Sequence, residues 1–136
     1  MADINIGAIS EVLNNKVDLP AGDSQGGIDF VVDWQNPTEA NGYTWYRKYK
    51  SGWVEQGGRG IGTLSGNVFS LTLPVPMANR EYYFNVLPVL DSSDAGSYFA
   101  RGVTQTTTKI QYYMFINNAI TPNNPIVEWM ACGIAA

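Results

Sequence analysis

From Ile28 onward the sequence alternates apolar and polar residues with a period of two, in short runs rich in Val, Ile, Thr and aromatic residues. Because successive side chains on a β-strand point to opposite faces of the sheet, such runs predict strands with one buried face. Clusters of Gly, Pro, Asn and Asp separate the runs and predict turns. The predicted strands are 28–34, 43–49, 53–57, 67–73, 81–90, 97–103, 108–116 and 126–133.

This succession of about eight short strands predicts an all-β fold, an antiparallel β-sandwich. The 136 residues are enough for one such domain with a single core. We therefore divide the chain into an N-terminal segment, residues 1–22, and a β-sandwich domain, residues 23–136. Tight hairpins are expected at 50–52 and 104–107, so most neighbouring strands should pair antiparallel.

The N-terminal segment has a different pattern. Ile6, Ile9 and Leu13 follow the three- and four-residue spacing of one helix face, and Pro20 supplies a stop. This helix could lie on its own domain. It could equally be an oligomerisation collar that forms a homotrimer, because Ile at core positions favours assemblies larger than a dimer. Residues 21–27 would then be a flexible hinge.

The alternation of antiparallel strands sorts the loops between the two ends of the domain. Loops 36–42, 57–66, 91–96 and 117–125 should share one end, whereas 50–52, 74–80 and 104–107 should share the other. The long loops are rich in Asn, Asp, Ser and Gly, and loops on a rigid sheet are common recognition sites. The predicted ligand-binding residues are Asp91, Asp94, Tyr98, Asn117, Asn118 and Asn123. Tyr98 is the ring that we expect to be exposed.

The composition argues against catalysis. Histidine is absent, so no Ser-His or Cys-His arrangement and no His-containing zinc site can form. The acidic pair in 91–94 is better explained as a solvated turn than as a catalytic or metal site, and no cofactor is expected. The single cysteine, Cys132, is expected to be a buried structural thiol. Likewise, Gly58-Arg59-Gly60-Ile61-Gly62 matches no phosphate-binding pattern and is interpreted as a flexible loop.

Charge and hydropathy limit the classes of binding partner that the chain can have. Twelve acidic and eight basic residues give a net charge of −4, so nucleic acid is not an expected partner. No stretch approaches the ~20 apolar residues that span a bilayer, so membrane insertion is not expected either. The N-terminus lacks a secretory-signal pattern, which predicts synthesis in a cytoplasm.

In runs such as Tyr82-Tyr83-Phe84 and Tyr112-Tyr113-Met114-Phe115, bulky side chains point to both faces. One face of these strands therefore needs cover from another sheet or another subunit.

Several motifs occur in order along residues 41–136: Asn41-Gly42-Tyr43, then Ser51-Gly52-Trp53-Val54-Glu55-Gln56-Gly57-Gly58, Leu73-Pro74-Val75-Pro76-Met77, Thr106-Thr107-Thr108-Lys109-Ile110, and Val127-Glu128-Trp129-Met130-Ala131-Cys132-Gly133. This succession resembles the C-terminal domains of bacteriophage tail fibres. In that family an aromatic residue often follows the hairpin glutamine, whereas Gly57 and Gly58 follow Gln56 here.

The resemblance implies a small, usually trimeric β-sandwich at the end of a virion fibre, which contacts a host-surface glycan or protein. It implies no individual binding residue. The N-terminal segment would attach to other virion proteins, and the domain would be exposed on the particle. The alternative is a structural head fibre or capsid decoration protein that has no ligand of its own. A third possibility, an enzyme that depolymerises capsule, is disfavoured by the absence of histidine.

Overall fold

The computed structural model describes residues 28–90, 96–122 and 125–136. Within these ranges the chain forms strands joined by turns, with a short 3₁₀ turn at Glu39–Asn41. The strands are β1 (Val31–Gln35), β2 (Trp45–Tyr49), β3 (Trp53–Gly60), β4 (Thr63–Ser65), β5 (Val68–Thr72), β6 (Tyr83–Val89), β7 (Tyr98–Gln105), β8 (Lys109–Ile116), β9 (Ala119–Ile120) and β10 (Ile126–Ile134).

The strands form two antiparallel sheets, so the predicted all-β class is confirmed. The first, sheet A, has the order β1-β2-β3-β10-β6. The second, sheet B, has the order β4-β5-β8-β7, and β9 pairs with β8. Residues 31–136 form one compact unit. Each of the eight predicted runs overlaps an observed strand.

The loop predicted at 57–66 is largely wrong. β3 continues through Gly58 to Gly60, because the whole of this stretch pairs with β10, from Gly57↔Met130 to Gly60↔Val127. β4 then occupies 63–65 and pairs with β5. The predicted loop at 117–125 similarly contains the short strand β9. The N-terminal helix, its residues Ile6, Ile9 and Leu13, and the hinge at 21–27 all lie outside the described residues.

The core lies between the two sheets. Sheet A contributes Val54 and Val127, and sheet B contributes Phe69, Ile110 and Tyr112, all with no exposed surface. The rings of Phe69 and Tyr112 stack with centroids 5.4 Å apart. Complete burial of side chains of this size stabilises a fold by about 1.5–3 kcal/mol each. The alternation seen in the sequence therefore reports which face of each strand meets the other sheet.

A buried glutamine joins β3 to the segment after β5. The Gln56 side chain is completely buried. Its Nε2 donates to the Val75 carbonyl oxygen at 2.8 Å, and its Oε1 accepts from the Val75 N–H at 2.9 Å. A buried amide with both ends bonded satisfies its own polar atoms and those of an irregular segment. Two of the tail-fibre-like motifs, Trp53–Gly58 and Leu73–Met77, thus meet in space.

The two ends of the domain differ. At one, which we call the hairpin end, Ala135 N–H donates to Gly52 O at 2.8 Å, Ala78 N–H to Ile134 O at 2.8 Å, and Met77 N–H to Thr107 O at 2.7 Å. These bonds gather segments 50–52, 73–78 and 106–108, as the strand alternation predicted. The opposite end, the loop end, holds 36–44, 61–62, 65–68 and 117–122, together with the beginning of β7 and the end of β6. Apart from the predicted loop at 57–66, the described loops lie at the ends that strand alternation predicted.

Both sheets expose large apolar side chains on their outer faces. On sheet A, Tyr83 is 77% exposed, whereas its neighbour Tyr82 is buried against sheet B. On sheet B, Phe99 and Phe115 stack face to face with centroids 4.7 Å apart and an interplanar angle of 2°. One face of each bulky run is therefore covered by the other sheet, and the second face is open in the single chain.

Candidate functional site

The turn at Asn117-Asn118 lies at the loop end and contains two of the predicted binding residues. Both have positive φ, 48° and 67°, and they form the two-residue turn between β8 and β9. Asn tolerates this left-handed conformation, which such tight hairpins require. The Asn117 carboxamide also accepts a hydrogen bond from Ser97 N–H at 3.0 Å. Asn117 therefore has a structural role in the turn, whereas Asn118 is exposed.

Tyr98 does not have the exposed ring that the sequence led us to expect. It begins β7 opposite Ile116, on the face that points toward the other sheet. The side chain is half-buried and packs against the core. The pairing of β7 with β8 explains the difference, because it turns Tyr98 inward and the next residue, Phe99, outward. The other predicted residues, Asp91, Asp94 and Asn123, lie outside the described residues.

A groove lies on the outer face of sheet A. Its volume is ≈ 1090 Å³. This is at the upper end of the range for small-molecule sites, which suits an extended ligand. It opens toward the loop end, where Tyr43, Ile61 and Ile126 contribute to its lining. The full lining is Pro37, Gly42, Tyr43, Trp45, Gly58, Arg59, Gly60, Ile61, Asn85, Leu87, Ile126, Glu128, Trp129 and Met130.

Strand register builds the groove from two rows of outward-facing residues across sheet A. The first row runs from Trp45 on β2 through Gly57 on β3 and Met130 on β10 to Asn85 on β6. The second row, two residues nearer the loop end, contains Arg59, Glu128 and Leu87. Four strands spaced by about 4.8 Å make the first row roughly 14 Å wide.

Two adjacent glycines allow tryptophan side chains to pack closely on both faces of β3. A Cβ at Gly57 would lie 2.5 Å from the Trp129 carbonyl oxygen and 2.9 Å from Trp45 Nε1. A Cβ at Gly58 would lie 3.0 Å from Trp129 Nε1. The indole of Trp45 therefore packs over Gly57 on the outer face, and that of Trp129 packs beneath Gly58 on the inner face. This geometry explains why glycines follow Gln56 where an aromatic residue is common in the family that the sequence resembles.

Tyr43 stands at the edge of the groove in an uncommon backbone conformation. Its φ is 57° and its side chain is 51% exposed. A capping box between Thr38 and Asn41 closes the 3₁₀ turn, and Tyr43 N–H donates to Thr38 O at 2.8 Å. A non-glycine residue with positive φ is uncommon, and such residues concentrate at functional sites. These backbone hydrogen bonds therefore fix the position of the Tyr43 Cα, from which the exposed ring extends.

Arg59 and Glu128 face each other across β3 and β10 in the second row. Arg59 Nε and Glu128 Oε1 are 3.8 Å apart, and both side chains are 55% exposed. An exposed pair at this distance contributes little to stability. The remaining guanidinium donors and carboxylate lone pairs therefore face solvent, where a ligand can use them. Because the pair adds one positive and one negative charge, the groove is electrically balanced.

Cys132 lies on the same outer face, nearer the hairpin end. It is half-buried, which corrects the expectation of a fully buried thiol. Burial raises the pKa of the Cys132 thiol, and the Glu55 carboxylate raises it further. Both effects favour the unreactive thiol over the thiolate.

In residues 28–90, 96–122 and 125–136, no three acidic or cysteine side chains are grouped closely enough to hold a metal ion. No helix in these ranges is long and apolar enough to cross a membrane.

Sequence reasoning missed the groove because it attributed recognition to the loops. The sequence led us to interpret Arg59 as part of a flexible loop. The available signal was the alternation itself. Glu55, Gly57 and Arg59 occupy every second position after Trp53, so all share the face opposite the buried residues Val54 and Gln56. Adjacent glycines within such a run mark a strand that is closely approached by other groups.

No protein-family model matches the chain, and no curated protein matches it significantly. Among solved structures, the chain is similar to an N-truncated R2-type pyocin tail fibre, with 17% identity and a TM-score of 0.44 over 98% of this chain and 52% of that one. It is also similar to a P. aeruginosa R2 pyocin fibre fragment comprising C-terminal residues 323–691, with the same identity and TM-score over 98% and 36% of the two chains. The chain spans about half of the first structure and about a third of the second.

Proposed function

We propose that this chain forms the terminal domain of a bacteriophage virion fibre and binds a receptor, a glycan, on the host surface. The groove on sheet A is the observation that carries the proposal. It combines exposed aromatic surface with exposed hydrogen-bonding groups, and such a combination on a rigid scaffold is typical of ligand sites. The resemblance of residues 41–136 to tail-fibre C-terminal domains supplies the biological context.

The position of the groove supports an outward-facing role. It opens at the loop end, whereas the first residue of β1 and the last residue of β10 both lie toward the hairpin end. A domain held at its hairpin end would present the loop end to a surface. Asn118 remains an additional candidate for receptor contact at that end. The proposed role is binding without catalysis.

The test compares two exposed tyrosines of this region. Tyr43→Asn removes the ring at the groove edge while keeping a residue that tolerates positive φ. Tyr83→Asn removes an even more exposed ring, from sheet A outside the groove, and it serves as the matched control. We expect Tyr43→Asn to abolish adsorption of the purified full chain to host cells and Tyr83→Asn to leave adsorption unchanged. Equal adsorption by both variants would contradict a receptor site in the groove.

We also propose that three copies associate, through the N-terminal segment 1–22 and the aromatic outer face of sheet B. The stacked rings of Phe99 and Phe115, with Val103 and Ile120 beside them on that face, are the kind of exposed apolar surface that subunit contacts cover. Sedimentation should give three times the 14.9 kDa of one chain. A monomer at all concentrations would refute the trimer.

Attachment to other virion proteins is proposed for the same N-terminal segment. Deleting residues 1–22 should prevent incorporation into particles without unfolding the β-sandwich. The structural alternative, a head fibre or decoration protein, makes the same prediction for the deletion but differs in adsorption. If the deletion prevents incorporation and the unsubstituted full chain does not adsorb to host cells, the structural alternative is correct.

A further inference from the structure

We infer that the groove recognises an uncharged polysaccharide, with Tyr43 and Trp45 as ring-stacking residues and Arg59, Glu128 and Asn85 as hydrogen-bonding residues for sugar hydroxyls. This inference rests on the proposed function and deepens it, because it names the chemical class of the receptor. It is argued from the charge, shape and hydrogen-bonding capacity of the groove.

The charge balance excludes strongly charged ligands. Arg59 and Glu128 stand opposite each other in adjacent strands, 3.8 Å apart. An anionic sugar placed on the guanidinium would also meet the carboxylate, and a cationic peptide placed on the carboxylate would meet the guanidinium. A neutral polyol avoids this conflict, because one hydroxyl can donate to Glu128 while a neighbouring hydroxyl accepts from Arg59. Such hydrogen bonds to charged groups are about twice as strong as neutral ones.

The aromatic side chains supply the complementary apolar contact. A pyranose ring has hydroxyls around its edge and C–H groups on its face, so it needs a flat apolar surface beside polar groups. Trp45 stands at the β2 end of the first row, and Tyr43 lies near it at the loop end. Asn85 closes the β6 end of the row with an exposed amide, which can both donate and accept.

The extent of the groove favours a chain of sugars over a single ring. The polar residues Arg59, Glu128 and Asn85 lie on three neighbouring strands, and the aromatic residues begin on a fourth. A single monosaccharide could contact only part of this roughly 14 Å width.

The experiment measures binding of the purified full chain to an array of bacterial capsular and lipopolysaccharide glycans, grouped by charge. We expect hits among the uncharged glycans. Affinity for the best hit should change less than twofold between low and high salt, because screening acts on charged ligands. Arg59→Met and Glu128→Gln should each weaken binding by about five- to tenfold, and Tyr83→Asn should have no effect.

The sign of the Glu128→Gln effect separates the ligand classes. Removing the carboxylate weakens a bond to a sugar hydroxyl but relieves repulsion of an anionic sugar. Hits confined to anionic glycans, with tighter binding by Glu128→Gln, would overturn this inference while leaving the receptor-binding function intact. So would an array without hits combined with Tyr43-dependent adsorption to cells, which would indicate a protein receptor.

Two further outcomes address the proposed function itself. No glycan hit together with adsorption that is unaffected by Tyr43→Asn would remove both the inference and the receptor function of the groove. A second copy of this chain is the other possible occupant. If Tyr43→Asn converted the sedimenting species to a monomer, the groove would be a subunit contact and the polysaccharide would be excluded.

Discussion

Replacing Gln56 tests whether the buried amide holds the two tail-fibre-like motifs together. Gln56→Met keeps approximately the same volume but removes both hydrogen bonds to Val75, at 2.8 and 2.9 Å. Each bond contributes about 1 kcal/mol to stability, so the loss of both should destabilise the fold by about 2 kcal/mol. The N–H and carbonyl of Val75 would also lose their partner in a half-buried position, which raises the expected total to about 2–4 kcal/mol.

Gln56→Ala should destabilise further, because it removes the same bonds and also leaves a cavity. Gln111→Met provides the matched control. Gln111 is half-buried on the outer face of β8, and its Nε2 donates to Ser70 Oγ at 3.3 Å. This substitution should change the free energy of unfolding by about 0.5 kcal/mol or less. The expected order of destabilisation is Gln111→Met, then Gln56→Met, then Gln56→Ala.

The assay is equilibrium urea unfolding followed by tryptophan fluorescence, at one protein concentration because association would shift the apparent stability. An unchanged slope with a lower midpoint would show that stability itself changed. If Gln56→Met unfolds at the same urea concentration as the unsubstituted chain, the amide does not stabilise the segment around Val75. The conclusion that the Gln56 amide holds the two motifs together would then be wrong.

Three further predictions concern glycine and tyrosine positions. Gly57→Ala should lower the free energy of unfolding by about 2 kcal/mol or more, because the new Cβ would lie 2.5 Å from a backbone oxygen. Gly60→Ala should be neutral in the same unfolding assay, because a Cβ at that position would have no neighbour within 4 Å. Tyr82→Phe should destabilise the fold by about 1 kcal/mol, because the Tyr82 hydroxyl is hydrogen-bonded to Thr106 O and Lys109 O. Tyr112→Phe should be neutral or stabilising, because the buried Tyr112 hydroxyl has no hydrogen-bond partner. Burial raises the pKa of both tyrosines to about 12, so the fold favours their neutral forms. This stabilisation is complete below pH 10 and is lost as the pH rises from about 10 to about 12, so melting temperatures should fall in that range and fall less in either Phe variant.

Strand positions were predictable from the sequence because most strands have one face in the core. The alternation around Val54 and Gln56, or around Ile110 and Tyr112, records burial directly. β4 and β9 escaped prediction because they are short and have no such alternation. β9 exists because the Asn117-Asn118 turn returns the chain onto β8, a consequence of two positive φ angles that composition alone does not specify.

The candidate site was less predictable than the fold, because it depends on which strands become neighbours. β3 and β10 are separated by more than sixty residues in the sequence, yet their pairing brings Arg59 opposite Glu128. β6 then places Leu87 on the other side of Glu128. Sequence alternation indicates that these residues face outward, but only the strand order shows that they share one surface. For Tyr98 the error was one of register, because a shift by one residue exchanges the buried and exposed faces.

The alternation within β3 separates the structural positions from those that we propose to bind the receptor. Val54, Gln56 and Gly58 face the core, whereas Glu55 and Arg59 face outward. Substitutions at the first set should therefore change unfolding, and substitutions at Arg59 should change adsorption with little effect on unfolding. Gly57 is the exception, because a side chain there would displace both Trp45 in the groove and the backbone of β10. A Gly57 variant should lose stability and binding together, so loss of adsorption by Gly57→Ala alone would not identify the groove as the receptor site. For this reason the assignment of the receptor site depends on Tyr43 and Arg59, which can be changed without disturbing the strands beneath them.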